Sequence, residues 1–111
     1  MDKEMMKGST DILLLSQLVK EDQYGYQIIK ALENMSNQVY KMGEGTLYPA
    51  LKRLEQKGYL ISYWGEAELG GRRKYYQLTK DGERYLKKKL QEWKQVNQWV
   101  CSCEEGLVWN K

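Results

Sequence analysis

The spacing of apolar residues divides this chain into three helical segments, a segment of two-residue alternation and a long final helix. Over residues 3–19, apolar side chains recur at steps of three and four, which predicts a helix with two apolar faces. One face carries Met6, Leu13, Leu14 and Leu18, and the other carries Met5, Ser9, Ile12, Ser16 and Val19. Because each apolar face needs a cover, this helix is expected to contact two partners.

Two further helices are predicted before the period changes. The first runs from about Tyr24 to Met35, and Asp22 is a candidate cap at its start. The second has a buried stripe that contains Leu47, Ala50, Leu51 and Leu54. Pro49 is expected in the first turn of this helix, where its missing N–H costs little, and Gly58 marks a left-handed cap at its end.

A β-hairpin is predicted where the period becomes two. Residues 60–66 (LISYWGE) and 72–78 (RRKYYQL) are rich in β-forming side chains and are separated by a short turn that contains two consecutive glycines. Alternation places Tyr75 and Tyr76 on opposite faces, so one of them is expected in the core. Trp64 follows the same alternation and is expected to pack within the hairpin.

A long final helix is predicted to begin after Thr79, whose hydroxyl can cap it. Its apolar stripe contains Leu86, Leu90, Trp93, Val96 and Val100. Burying large apolar side chains is worth ~1.5–3 kcal/mol each, and a domain of this size covers only part of the stripe. The simplest cover is the second face of the first helix from another copy, which makes a two-fold symmetric homodimer.

The order α-α-α-β-β-α predicts a mainly helical α+β fold, a winged helix-turn-helix with a long C-terminal dimerisation helix. We expect one domain over residues 1–111, with the winged helix at residues 20–78 and dimerisation helices at residues 3–19 and 80–103.

The positive charge of the chain is concentrated in its middle third. The net charge is +3, and residues 41–80 carry 8 basic and 4 acidic side chains. A helix fits the major groove of DNA, while basic residues on a hairpin suit phosphates or the minor groove. The candidate DNA contacts are Thr46, Tyr48, Pro49, Lys52, Arg53 and Gln56 on the third helix and Arg72, Arg73 and Lys74 on the hairpin. The alternative is a ligand-binding or protein-interaction module that keeps the fold without specific DNA binding.

The absence of histidine excludes Ser-His-Asp and Cys-His catalysis and histidine-ligated metal sites. Cys101 and Cys103 could supply at most two soft ligands, whereas zinc needs about four. We therefore expect no catalytic site, metal or cofactor. No apolar run reaches the ~18 residues of a membrane span, and the N-terminus has no signal-peptide pattern, which predicts a cytoplasmic protein without a membrane partner.

Three segments resemble PadR-type transcriptional repressors. Residues 45–51 (GTLYPAL) with the following RLE are similar to their recognition helix, residues 70–76 (GGRRKYY) to their wing, and residues 24–26 (YGY) to the start of their second helix. The resemblance implies a homodimer that binds a pseudo-palindromic DNA operator, with major-groove contacts about 34–36 Å apart. It also adds Tyr26 to the candidate DNA contacts.

The short C-terminal part and residues 92–96 (EWKQV) resemble the small-subunit, multidrug-sensing branch of that family. This resemblance implies a hydrophobic pore at the dimer seam for a planar aromatic or hydrophobic effector, which would shift the angle between the two wing domains. The implied pore wall contains Met5, Ile12 and Ser16 from the first helix and Leu86, Leu90, Trp93, Val96 and Asn97 from the last. Leu90 stands where the drug sensors have an aromatic residue and Asn97 where they have an acidic one, although Glu4 could supply charge nearby. The alternative role for Trp93 is plain interface packing.

Overall fold

The computed structural model describes residue 6 and residues 8–109 of the chain. Within these residues the elements are α1 (Thr10–Ser16), β1 (Gln23–Tyr24), α2 (Gly25–Met35), α3 (Glu44–Gln56), β2 (Leu60–Glu66), β3 (Arg72–Leu78) and α4 (Lys80–Glu105). The predicted mainly helical α+β class and winged helix-turn-helix are confirmed, with the long last helix in place. None of the helices described here is both long and apolar enough to cross a membrane.

The helix predicted over residues 3–19 is interrupted in the described part of the chain. Met6 is helical, Gly8 and Ser9 form a turn, and α1 then spans only seven residues. Glycine is a poor helix former, which accounts for the interruption of the predicted helix over residues 3–19. Leu14 and Leu15 of α1 are fully buried and make its core face.

A short strand that the sequence does not reveal precedes α2. Gln23 and Tyr24 pair antiparallel with β3, so the sheet has three strands in the order β1-β3-β2. The prediction that Asp22 caps α2 is wrong, because the N-cap is Tyr24, whose N–H donates to the Gln27 side chain at 3.2 Å. The Asp22 carboxylate instead accepts hydrogen bonds from Tyr63 and Gln77 of the sheet.

The α3 helix begins one turn earlier than predicted. Its N-cap is Gly43, so Pro49 is the sixth residue of the helix and lies in the second turn, not the first. The missing N–H of Pro49 leaves the Gly45 carbonyl without a helical partner, and both residues are exposed, so water can take its place. At the other end Gly58 has a φ of +83°, as predicted for a left-handed cap.

The hairpin forms as predicted, with β2 and β3 paired in continuous antiparallel register from Leu60 opposite Leu78 to Glu66 opposite Arg72. Tyr76 is buried and Tyr75 is half-buried, so one tyrosine of the pair belongs to the core, as alternation predicts. We call β2, β3 and the turn between them the wing.

The α4 helix begins directly after β3, at the base of the wing. The Thr79 hydroxyl accepts a hydrogen bond from the Gly82 N–H at 2.9 Å, which confirms the predicted cap. A Cβ on Gly82 would collide with the Tyr59 carbonyl, so only glycine permits this close approach. Leu86 completes the protein core, but every residue from 91 to 109 is exposed, so most of α4 extends away from the core.

The core itself is built mostly from leucine. Its buried residues are Leu14, Leu15, Leu18, Ile28, Leu32, Met42, Leu47, Ala50, Leu51, Leu54, Leu60, Tyr76 and Leu86. The radius of gyration is 16.6 Å, larger than the roughly 13 Å of a compact domain of this length. The projecting part of α4 accounts for the excess.

Candidate nucleic-acid interface

The α3 helix buries one stripe and exposes the rest of its surface. The buried residues are Leu47, Ala50, Leu51 and Leu54, as predicted. All the α3 side chains predicted to face solvent are exposed, namely Thr46, Tyr48, Pro49, Lys52, Arg53 and Gln56. The helix thus presents a polar and basic surface that a partner can reach.

The start of α2 packs directly on this helix. Gly25 is buried, and a Cβ at this position would displace the end of the Tyr48 side chain, so glycine permits the close approach seen here. The next residue, Tyr26, is exposed in the first turn of α2, and the Lys30 ammonium lies 5.4 Å from its ring centre. Tyr26 therefore stands at the edge of the α3 surface, beside a cation.

An open groove of about 400 Å³ separates α3 from the wing. It is lined by Tyr48, Lys52, Glu55, Gln56, Lys74 and Tyr76. The Glu55 carboxylate accepts a hydrogen bond of 2.6 Å from the Ser62 hydroxyl, which ties α3 to β2. Lys52 and Lys74 bring positive charge to the two sides of the groove, so one polyanion can contact the helix and the wing together.

The three predicted basic contacts of the wing are exposed on two faces of the hairpin. Lys74 lies on the α3 side with Arg72, and Arg73 lies on the opposite side. The Arg73 guanidinium stands 5.9 Å from the Tyr24 ring centre. Gly70 and Gly71 both have positive φ, which lets the turn between the strands close tightly.

Trp64 does not pack within the hairpin as the sequence predicts. It is 61% exposed, with the Arg72 guanidinium 5.2 Å from its ring, because the hairpin at this point has no helix against it. Trp64 pairs across the strands with Lys74 and shares its face. Trp64 is absent from the predicted DNA contacts, although two-residue alternation from the buried Leu60 gives the face of the strand on which it lies.

Arg53 is exposed but already has a partner. Its Nη2 and Nη1 donate to the Asp11 carboxylate at 2.6 and 3.2 Å, and the Tyr85 hydroxyl donates to the same carboxylate at 3.1 Å. Burial acts to raise the pKa of Asp11, but the hydrogen bonds and charge of Arg53 outweigh it and hold that pKa below its usual value. We call these three residues the Asp11 junction; it joins α1, α3 and α4.

A cluster of tyrosines covers the face of the sheet opposite the groove. Tyr63 stacks on Tyr75 with ring centres 5.7 Å apart, and Tyr24 meets Tyr75 edge to face at 5.4 Å. The hydrogen bond to the Asp22 carboxylate, with a smaller effect of burial, raises the pKa of Tyr63 to about 12. This cluster fixes β1 to the wing.

The residues expected to line a ligand pore lie in different surroundings. Ile12, Ser16 and Leu90 are half-buried. The Ser16 hydroxyl donates a hydrogen bond of 2.6 Å to the Ile12 carbonyl. Leu86 is buried in the protein core, so it faces no surface on which a ligand could sit. Trp93, Val96 and Asn97 are exposed, whereas Met5 and Glu4 lie outside the described residues.

The exposed stripe of α4 is made of Trp93, Val96 and Val100. These side chains retain 49%, 50% and 60% of their surface in the single chain. They recur at steps of three and four, so they lie on one side of the helix. Nothing in the described part of the chain covers them.

The described residues contain no group of three or more histidine, cysteine or acidic side chains that could hold a metal ion. Cys101 and Cys103 are both exposed and unpaired by any disulfide in the structure. Two described surfaces remain as candidate sites, namely the basic groove between α3 and the wing and the exposed apolar stripe of α4.

Residues 14–88 match the family described as Transcriptional regulator PadR-like. The chain is also similar to the transcriptional regulator YqjI of Escherichia coli, with 32% identity over 85 residues. This alignment covers 77% of the chain but only 39% of YqjI, so the chain spans about two fifths of that relative.

Two solved structures extend the similarity to the fold. A transcriptional regulator from Clostridium thermocellum has a TM-score of 0.83 and 37% identity, covering 90% of this chain and 97% of that one. A PadR family transcription regulator from Clostridium difficile has a TM-score of 0.72 and 40% identity, covering 85% and 96%.

Proposed function

Since the chain belongs to the PadR-like family of transcriptional regulators, whose members bind DNA, we propose that two copies form a repressor that recognises a pseudo-palindromic operator. In this proposal residues 20–78 read the DNA, and residues 3–19 and 80–103 join the copies. The observation that carries it is the groove between α3 and the wing, which places Lys52 and Lys74 on facing sides.

The α3 helix is the proposed recognition helix. A helix fits the major groove, where lysine can bind guanine and where backbone and cationic groups hold phosphates. The wing, with Arg72 and Arg73, would then lie against the flanking backbone or minor groove. Tyr26, in the first turn of α2, has the exposure needed for a phosphate contact beside α3.

The proposed dimer rests on the exposed stripe of α4. Contiguous apolar surface of this kind marks an interaction site, and a second copy supplies an identical stripe together with α1. A two-fold axis through this seam gives the symmetry that a pseudo-palindromic operator requires.

The DNA contacts are tested by the salt dependence of binding to a duplex from the promoter region of its own gene. Each phosphate contact contributes about 0.9 to the slope of log affinity against log salt. Lys52→Gln and Lys74→Gln are expected to lower that slope by up to one each, and Lys88→Gln, an exposed lysine of α4, should leave it unchanged. Absence of binding by the parent at low salt would instead favour a ligand-binding or protein-interaction module.

The proposed effector is a planar aromatic or hydrophobic compound held between the Trp93 side chains of the two copies. Trp93 is half exposed and lies on the stripe, so a flat ring could stack on it once the copies meet. An acridine dye should quench tryptophan fluorescence in the parent. In Trp93→Leu, which keeps an apolar side chain without the aromatic platform, its affinity should fall at least tenfold, while Trp99→Leu retains it. Equal dye affinities in Trp93→Leu and Trp99→Leu would indicate that Trp93 only packs at the interface.

A further inference from the structure

The Asp11 junction contains an ion pair, between Asp11 and Arg53, that connects two separate helices. Among the ion pairs of the described residues, the others join positions three or four apart within α2 or α4. Asp11 and Arg53 are 42 residues apart, and Tyr85 is 74 residues from Asp11. The junction therefore fixes α3 relative to both α1 and α4.

The Arg53 side chain points away from the groove that Lys52 lines, on the side of α3 that also carries Thr46 and Pro49. Arg53 lines a surface cavity with Asp11, Ile12 and Tyr85. Lys52 lines the other groove, toward the wing. Both terminal nitrogens of Arg53 are held by the Asp11 carboxylate, in the two-point geometry that makes such pairs strong and directional. The pair uses two of the five guanidinium N–H groups and fixes the direction in which the other three point.

The same junction is next to the residues of the proposed seam. Asp11 is followed by Ile12, and Tyr85 lies about one helical turn before Leu90 and two before Trp93. Tyr85 is held in place by stacking on Tyr59, with ring centres 4.2 Å apart. Any change in the spacing of α1 and α4 must therefore move Asp11 relative to Tyr85, and Arg53 with them.

We propose that Arg53 is a positioning residue: through Asp11 and Tyr85 it sets the angle of α3 against α1 and α4, and transmits changes at the seam to the spacing of the two recognition helices. This inference rests on the proposed function, because it needs two copies and a seam. It replaces the sequence-based prediction that Arg53 itself binds DNA.

The test measures the distance between the two α3 helices without DNA or ligand. One nitroxide label is placed at Gln56→Cys in a Cys101→Ser, Cys103→Ser background, and the distance between the copies is read by double electron–electron resonance. Asp11→Asn and Arg53→Gln should each shift the distance or at least double the width of its distribution, and the double variant should add nothing to the larger single effect. Arg84→Gln, which breaks an exposed pair within α4, is the matched control.

The possible outcomes distinguish a failure of the positioning role of Arg53 from a failure of the proposed dimer. A dimer whose distance is unchanged in both variants would overturn the positioning role alone. The absence of a dipolar signal in the parent would show that no dimer forms, which would contradict both the proposed dimer and the positioning role. If Asp11→Asn fails to fold, Arg53→Lys serves as the second variant, because it keeps the charge but cannot form the two-point pair.

Operator affinity is a second measurement, and it should not change if the Asp11–Arg53 pair only stabilises the fold. At a temperature where every variant is fully folded, Asp11→Asn and Arg53→Gln should each weaken binding about tenfold, within the range of coupling between sites, at an unchanged salt slope. A slope lowered by about one in Arg53→Gln, with Asp11→Asn binding as tightly as the parent or tighter, would identify a phosphate contact and contradict the inference.

Discussion

Replacing Trp93 by alanine is expected to weaken the association of two copies, whereas replacing Trp99 by alanine is not. Both residues are on α4, and they are 49% and 58% exposed in the single chain. They differ in direction, because six residues at about 100° each place Trp99 roughly 120° around the helix from Trp93. The pair therefore compares the same truncation on and off the exposed stripe.

The size of the effect follows from the exposed area. A tryptophan presents about 250 Å², so Trp93 leaves about 120 Å² uncovered in one chain. At about 25 cal/mol per Å², covering it contributes ~3 kcal/mol, of which alanine retains about a third. Two copies of the residue meet at the seam, so the loss is ~4 kcal/mol if both are fully covered and ~2 kcal/mol if half covered. The dimer dissociation constant should then rise between about 30-fold and 1000-fold.

Sedimentation velocity over a series of protein concentrations measures this constant. The parent should approach twice the chain mass of 13.2 kDa at micromolar concentration. Trp93→Ala should dissociate at higher concentrations than the parent, and Trp99→Ala should stay within about threefold of it. Circular dichroism melts of the variants confirm that each is folded. Identical dissociation curves for Trp93→Ala and the parent would refute the assignment of the stripe to the seam.

Three further predictions concern the stability and chemistry of the fold. Because the pKa of Asp11 is lowered on folding, the contribution of the ionised Asp11 to stability is complete above its usual pKa and disappears as the pH falls through the lowered value. In urea melts the unfolding free energy of the parent should exceed that of Asp11→Asn at pH 6 and match it near pH 2. An equal difference in unfolding free energy at both pH values would contradict this. The phenol of Tyr63 should ionise near pH 12 in ultraviolet titration and at lower pH in Asp22→Asn; no downward shift in that variant would contradict the hydrogen bond as its cause. Gly82→Ala should lower the unfolding free energy by at least ~1–3 kcal/mol because its Cβ meets a backbone carbonyl. Gly45→Ala, at an exposed helical position in open space, should be neutral or should raise it by up to ~1 kcal/mol, and equal losses in the two variants would argue against the close contact.

The parts of the fold that the sequence predicted are those with local causes. The α3 stripe, the Gly58 cap and the Thr79 cap each depend on residues close together in the chain, and the hairpin joins two alternating strands through a short turn. Periodicity and capping chemistry are visible at that range, so the order of the helices and of the two hairpin strands could be predicted.

The parts that the sequence did not predict depend on distant residues. The strand β1 contains two residues and exists only because β3 lies beside it, so no periodicity marks it. Arg53 was interpreted as a free cation because its partner Asp11 is 42 residues away. The start of α3 was placed too late because Pro49 was expected in the first turn, although one missing bond at an exposed position is tolerated further along.

Hydroxyl-radical footprinting of the protein on a duplex from the promoter region of its own gene tests the central claim most directly. Two copies joined at the α4 stripe, each reading DNA with α3 and the wing, should protect two segments on one face of the duplex, about 10–10.5 base pairs apart from centre to centre. In Trp93→Ala, protection of both segments should be lost together at concentrations where the parent still binds. A single protected segment, or protection that is unchanged in Trp93→Ala, would contradict the account.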